Sequence, residues 1–274
     1  MTWRRKLGRL KRGALNWLAD RRTGPDPRFV YDYRDLEDYM RVSYCSVREV
    51  GLQTRCMLSE RIAEYALVFQ KITKPHRLIL DVGSSESFLP YQLATLGHTV
   101  VASDLFPPNQ RWRRPGARGN WMVKDDWGDY LLKHPRLRFV REDATRLGHA
   151  GNTFDYVTAI STIEHFGCYG VRAPDPTVVG RRAMGEMHRV LKPGGALLIS
   201  VPYGIGGDSP RNRLLQLVFN EPLLAQYLER FAVVGRCYFA YRGYHWHECD
   251  RLEAEQMDCS TRTTGMCFVE ARKA

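Results

Sequence analysis

The chain has 274 residues, 44% of them hydrophobic and 26% charged, and a formal net charge of +11. That length holds one large α/β domain or two small ones with ample core, and no apolar stretch approaches the roughly 20 residues needed to span a bilayer. Seven cysteines, odd in number and without a CxxC pair, read as reduced cytosolic thiols rather than a disulfide framework.

The charge is uneven from the start of the chain. Residues 1–22 carry eight basic residues against the single acid Asp20, a net +7, which leaves +4 for the rest. The basicity therefore belongs mostly to an arm, which weakens the case for nucleic-acid binding. Within it, Trp3, Leu7, Leu10, Ala14 and Trp17 fall on one helical stripe opposite arginine and lysine. Such a helix can lie on an anionic membrane surface. A helix docked on its own domain, or a frayed one, is slightly favoured, because Gly8 and Gly13 weaken it. The apolar part after the basic residues is too short and interrupted for a secretory signal. The turn TGPDP at 23–27 separates the arm, residues 1–24, from a body expected to be a single domain over 25–274.

Residues 52–72 read as a helix and lead into LILDVGSSESF at 78–88. LILDV (78–82) is a strand and 87–97 a helix, with Ser87 suited to its N-cap and Gly97 to its end. TVVASD (99–104), RLRFV (136–140) and FDYVTAI (154–160) supply the second, third and fourth strands. A helix follows over about 177–191, with Val179, Ala183, Met187 and Val190 on one face. Lys192-Pro193-Gly194-Gly195 then turns into a fifth strand, ALLISVP (196–202). Apolar segments at 231–241 and 266–271 are the final strands. Short apolar strands alternating with helices predict an α/β, Rossmann-like, doubly wound and mostly parallel sheet. The second and third strands are separated by 105–135, too long for a plain connection, with Trp112, Trp121 and Trp127 among Arg111, Arg113, Arg114 and Arg118. It reads as a lid-like insertion; residues 205–260 read as acceptor-side elements.

Ligands of such sheets sit beyond the carboxyl ends of the strands. The first strand ends at Asp81, where Gly83 permits a tight turn, and the second at Asp104, where an acid usually grips ribose hydroxyls. These marks fit a nicotinamide dinucleotide or S-adenosylmethionine. The glycine-poor loop with Glu86 would repel a diphosphate, whereas a phosphate-free sulfonium cofactor tolerates serines and carboxylates.

The ordered series LDVGSSES, VVASD, RFVREDATRL, FDYVTAISTIEHFG and RVLKPGGALLISVPYG resembles the class I S-adenosylmethionine-dependent methyltransferases. It is most similar to the type 11-like bacterial branch with a DVGSGES loop and an STIEH strand end. The resemblance covers roughly residues 55–205. It implies S-adenosylmethionine as cofactor, with Asp81, Gly83, Ser84 and Ser85 lining the methionine end. By the same resemblance Asp104 holds the ribose and Leu105 packs on adenine. Asp143, with Ala144 beside it, accepts the adenine amino group. Ser161 and Thr162 lie near the sulfonium, and Arg61, in SERIAEY, reaches the cofactor carboxylate. The departures are Ser85 and Ser87 for glycines, Arg181 where an acid is expected, and the 105–135 insertion.

His165, just past the fourth strand, is the candidate general base, with Glu164 and Tyr169 nearby; the alternative is that Glu164 and His165 only order the loop. YHWHEC places His245, His247 and Cys249 at alternate positions, but no fourth ligand is evident, so an aromatic hairpin walling the acceptor pocket is favoured over zinc and no metal is assigned. No G-x-S-x-G hydrolase motif is present. The fourth strand is followed by neither an Asn-Pro-Pro-Tyr-type tetrapeptide nor a Pro-Cys pair. The expected reaction is therefore O-methylation of a small molecule, glycan or lipid-linked sugar, an anionic acceptor included. The alternatives are an RNA methyltransferase and a non-catalytic binding scaffold. The expected location is the cytoplasm, with peripheral contact at the inner face of the membrane through residues 1–22.

Overall fold

The near-continuous apolar runs at 78–82, 154–160 and 196–202 form the buried centre of one sheet, as strands covered on both faces require. The computed structural model describes residues 60–84, 87, 89–106, 134–168, 175–206, 216–242, 245–260 and 263–274. The basic arm, Ser85, Tyr169 and residues 107–133 of the insertion, with its three tryptophans and arginine cluster, lie outside this set.

In chain order the elements are α1 (Arg61–Lys71), β1 (Leu78–Val82), α2 (Leu89–Thr95), β2 (Thr99–Asp104), β3 (Leu137–Arg141) and β4 (Phe154–Ile160). Then come a 3-10 turn at Ile163–His165, α3 (Pro176–Val190), β5 (Leu191–Pro202), α4 (Glu221–Tyr227), β6 (Ala232–Arg242), β7 (His245–Cys249), α5 (Arg251–Glu255) and β8 (Gly265–Arg272). Among the described residues, eight strands make a single sheet in the order β3-β2-β1-β4-β5-β8-β6-β7. The first five run parallel, and β8 enters antiparallel between β5 and β6. The expected doubly wound, mostly parallel architecture is present.

Alternation along the strands assigns each side chain to a face. Leu80, Val157, Ala159, Leu197 and Ile199 pack with Ala183, Met187 and Val190 of α3 and Leu224 of α4. Ile79, Ile160 and Leu198 pack on the opposite face with Ala63, Leu67 and Val68 of α1 and Leu89 and Leu93 of α2. These period-two and 3.6-residue patterns are what two helical layers over one sheet demand.

The boundaries of β1, β2 and β4 coincide with the sequence reading. In α3, Gly180 is buried and Val179 only half so, because the backbone there packs against Tyr227; a Cβ at Gly180 would collide with its ring. The helix begins where Asp175 accepts from Thr177 N at 2.9 Å, with Pro176 in the first turn. β5 starts earlier than expected, at Leu191. Its register with β4 then jumps from Leu191 to Ala196, so the Lys-Pro-Gly-Gly turn is looped out within the strand.

Candidate active site at the carboxyl end of the sheet

Strand order reverses at β1, which pairs with β2 on one side and β4 on the other. This is where a doubly wound sheet leaves a crevice. Asp81, next to last in β1, is buried, and its Oδ1 accepts from Thr158 Oγ1 of β4 at 2.5 Å. That bond ties the two strands flanking the crevice. Gly83 follows with φ +79°, a conformation that suits glycine, and its N–H donates to Ser103 O at 2.8 Å. A Cβ at Gly83 would run into the Thr162 side chain, so the β1 turn and the β4 end touch here. Ser84 is buried and donates to the same Ser103 carbonyl. Ser87 caps α2, accepting from Leu89 N at 3.2 Å, and shares a hydrogen bond with Tyr65 OH at 2.9 Å.

Asp104 closes β2 and accepts from Phe106 N at 2.9 Å, which turns the chain and leaves Leu105 exposed. Asp143 sits just past β3 and organises the following turn by accepting from Thr145 N at 2.8 Å, with Ala144 half-buried beside it. The ends of three adjacent strands thus bring Asp104, Asp143 and the Gly83 turn to one edge. Arg61 opens α1; its side chain lies outside the described set.

At the end of β4, Ser161 adopts a left-handed backbone (φ +43°), uncommon for a residue other than glycine. Two residues missed in the sequence reading hold it. Glu64, fully buried in α1, accepts at Oε1 from Ser161 Oγ at 2.6 Å and from Ser200 Oγ of β5 at 2.7 Å. Ser200 Oγ in turn accepts from Ser161 N at 2.9 Å. The available signal was a glutamate on the otherwise apolar face of α1, three residues past Arg61. Thr162 is buried and donates to Ile160 O at 3.0 Å. The 3-10 turn then presents His165, one-quarter exposed, with its Nε2 3.9 Å from Oε1 of the buried Glu164. That separation is an electrostatic contact and too long for a hydrogen bond.

The β6–β7 hairpin stands at the far edge of the sheet, with its Arg242–His245 pair at the same end as the crevice. His247 is buried against Glu253 at 3.2 Å, and burial, then Glu253 and Asp250, push the Cys249 thiol up to about 12. Cys249 is thus a protonated thiol at neutral pH. Among the described residues no group of three or more histidine, cysteine or carboxylate side chains is placed to hold a metal.

Residues 80–199 match a family described as "Methyltransferase domain". This segment is a methyltransferase domain. The domain is 40% identical over 127 residues to the demethylmenaquinone methyltransferase of Beutenbergia cavernae, covering 46% of this chain and 41% of that protein. It is 33% identical over 128 residues to the Renibacterium salmoninarum enzyme of the same name, with the same coverage. The chain spans about two-fifths of the length of these curated relatives. Among solved structures, the 1,6-didemethyltoxoflavin-N1-methyltransferase of Burkholderia thailandensis superposes with a TM-score of 0.52 at 20% identity, covering 89% of each chain. The [4+2]-cyclase SpnF superposes at 0.54 with 17% identity, covering 76% of this chain and 79% of that one. These likenesses establish the class I methyltransferase fold. The presence of a cyclase among them shows why the fold of a methyltransferase domain does not by itself assign the reaction. No helix among the described residues is long and apolar enough to cross a membrane.

Proposed function

We propose that the chain is an S-adenosylmethionine-dependent methyltransferase acting on a small-molecule acceptor. The observation carrying this reading is the set of acids, Asp104 and Asp143, placed beside the Gly83 turn at the crevice of a methyltransferase domain. The donor set fits the cofactor. Carboxylates at successive strand ends suit ribose hydroxyls and an adenine amino group, and they disfavour a diphosphate. Glu64 adds a buried negative group bonded to Ser161, which suits a cationic sulfonium.

When bound, the cofactor supplies a methyl group on its sulfonium. Asp104 would hold the ribose and Asp143 the adenine amino group, and Gly83, Ser84, Ser85 and Arg61 are the residues assigned to the methionine end. Ser161 and Thr162 border the reacting side. Their fixed backbone positions the acceptor in line and keeps water out, which is most of what such a displacement requires. His165 would take the acceptor proton, and the Glu164 carboxylate, 3.9 Å from its Nε2, would stabilise the imidazolium that results.

Calorimetry with S-adenosylmethionine and NAD tests the assignment; tighter binding of NAD would overturn it. At a finer level the acceptor atom is a hydroxyl oxygen of a small molecule or saccharide, a lipid-linked one included, delivered near the membrane by residues 1–22. Transfer of labelled methyl to candidate hydroxyl acceptors tests the first part. Salt-sensitive binding to anionic liposomes, lost on deleting residues 1–22, tests the second. The alternative, a non-catalytic scaffold, predicts cofactor binding without methyl transfer to any acceptor.

A further inference from the structure

A cleft of about 670 Å³ opens on the outer side of α3, away from the crevice, between α3, the segment after β3 and the end of β8. Six cations line it, Arg146, Arg181, Arg182, Arg189, Arg230 and Lys273, against one acid, Glu186, a net +5. The chain beyond the basic arm has a net charge of only +4. This concavity thus carries +5, and the remainder of the body, the arginines of the insertion included, sums to −1.

The walls are built, not incidental. Arg189 donates to Glu186 and to the carbonyls of Leu147 and His149 at 2.8–2.9 Å, and Glu186 accepts from Leu147 N at 2.9 Å, which staples the segment after β3 to α3. Lys273 is fixed by Leu191 O and Asn152 Oδ1 at 2.9 and 2.8 Å. Gly185 also lines the cleft. A glycine inside a helix costs about 1 kcal/mol relative to alanine, and a Cβ here would lie 3.6 Å from the Arg230 guanidinium. The remaining four arginines are exposed. Arg146, Arg181 and Arg182 make no ion pair among the described residues, and Arg230 reaches only the exposed Glu229, at 4.0 Å. Burial, then Lys273 and Arg230, hold the His188 imidazole below its usual range, so it adds a neutral hydrogen-bonding group.

Arginines lining one concavity in excess over its acids repel one another unless an anion joins them. Their forked donors match phosphate oxygens, and the volume is that of a small-ligand site rather than a flat macromolecular interface. We propose that this cleft binds a ligand carrying a diphosphate group. It is independent of the assignment of the crevice.

The experiment titrates the full-length protein with inorganic pyrophosphate by calorimetry at about physiological salt. Pyrophosphate is expected to bind, and Arg146→Ser/Arg182→Ser/Arg230→Ser to weaken it at least about tenfold, each lost charge-assisted bond being worth a factor of that order. The variant's circular dichroism and melting temperature should stay at the wild-type values, which shows it folded. Arg182→Glu, on the exposed helix surface, gives the same loss without disturbing packing. ADP binding more tightly than pyrophosphate identifies a nucleotide as the source of the diphosphate; equal binding identifies the diphosphate alone. Absence of pyrophosphate binding, equal binding by wild type and variants, or an oligonucleotide held in the cleft that pyrophosphate does not displace would each overturn the proposal.

Discussion

Glu64 in α1 accepts a hydrogen bond from Ser161, 97 residues further along the chain, at 2.6 Å, and the same oxygen accepts from Ser200. The carboxylate is fully buried, and it pins the end of β4 where the chain turns through a left-handed residue. Removing it strands the buried Ser200 hydroxyl and the half-buried Ser161 hydroxyl and opens a void. Glu64→Ala should therefore lower unfolding free energy by roughly 2–4 kcal/mol, read from the denaturant midpoint. Glu64→Gln keeps an acceptor oxygen and should cost less. If the charge also faces the sulfonium, this variant loses affinity for S-adenosylmethionine but keeps that for S-adenosylhomocysteine, which lacks the positive charge. Equal loss for both would confine Glu64 to a structural role.

Gly83 stands at φ +79° with Thr162 where a side chain would go. Gly83→Ala should cost roughly 1–3 kcal/mol of stability from backbone strain alone, before the collision is counted. Melting temperature and cofactor titration should fall together. A variant with wild-type values of both would mean the turn is freer than its geometry implies.

Asp104→Ala should lose about 1–3 kcal/mol of S-adenosylmethionine affinity, the usual cost of removing a charged hydrogen-bond partner. Calorimetry measures it, and unchanged affinity would exclude Asp104 from the ribose site.

His165→Ala should slow turnover about 10²–10⁴-fold while leaving cofactor affinity alone, if the imidazole is the general base. The loop-ordering alternative predicts instead a loss of cofactor affinity or stability with turnover little changed. Single-turnover rates with the true acceptor, alongside calorimetry, separate the two.

Asp155 links the start of β1 to β5, accepting from Leu78 N and from Lys192 Nζ, both at 2.9 Å. Burial opposes its charge, but the bonds from Lys192 and Leu78 and the charges of Lys192 and Arg77 hold its carboxyl below the usual range. A depressed folded value means the stabilisation is fully present above the ordinary aspartate value of about 3.9 and is lost as pH falls through the folded value. Asp155→Asn should lower stability at neutral pH and flatten the loss below about pH 4. An unchanged acid limb in urea titrations would show that Asp155 does not contribute to it.

Local chemistry determined much of this protein. The boundaries of β1, β2 and β4 follow from apolar runs that only a strand covered on both faces can bury, and α3 from an apolar stripe introduced by Asp175-Pro176. The acids at the ends of β1 and β2 and the glycine after β1 were legible because the turn chemistry lies within a few residues of each strand. Only the tertiary structure decided which distant side chains meet. Nothing near Glu64 in the chain indicates Ser161 or Ser200, since that bond exists only once α1 lies across the ends of β4 and β5. The insertion of β8 between β5 and β6 is likewise a choice of pairing, and strand periodicity is silent on partners. The basic cleft shows the same division: its residues come from α3, the turn after β3, the segment before β6 and the end of β8, so their charges add only in three dimensions.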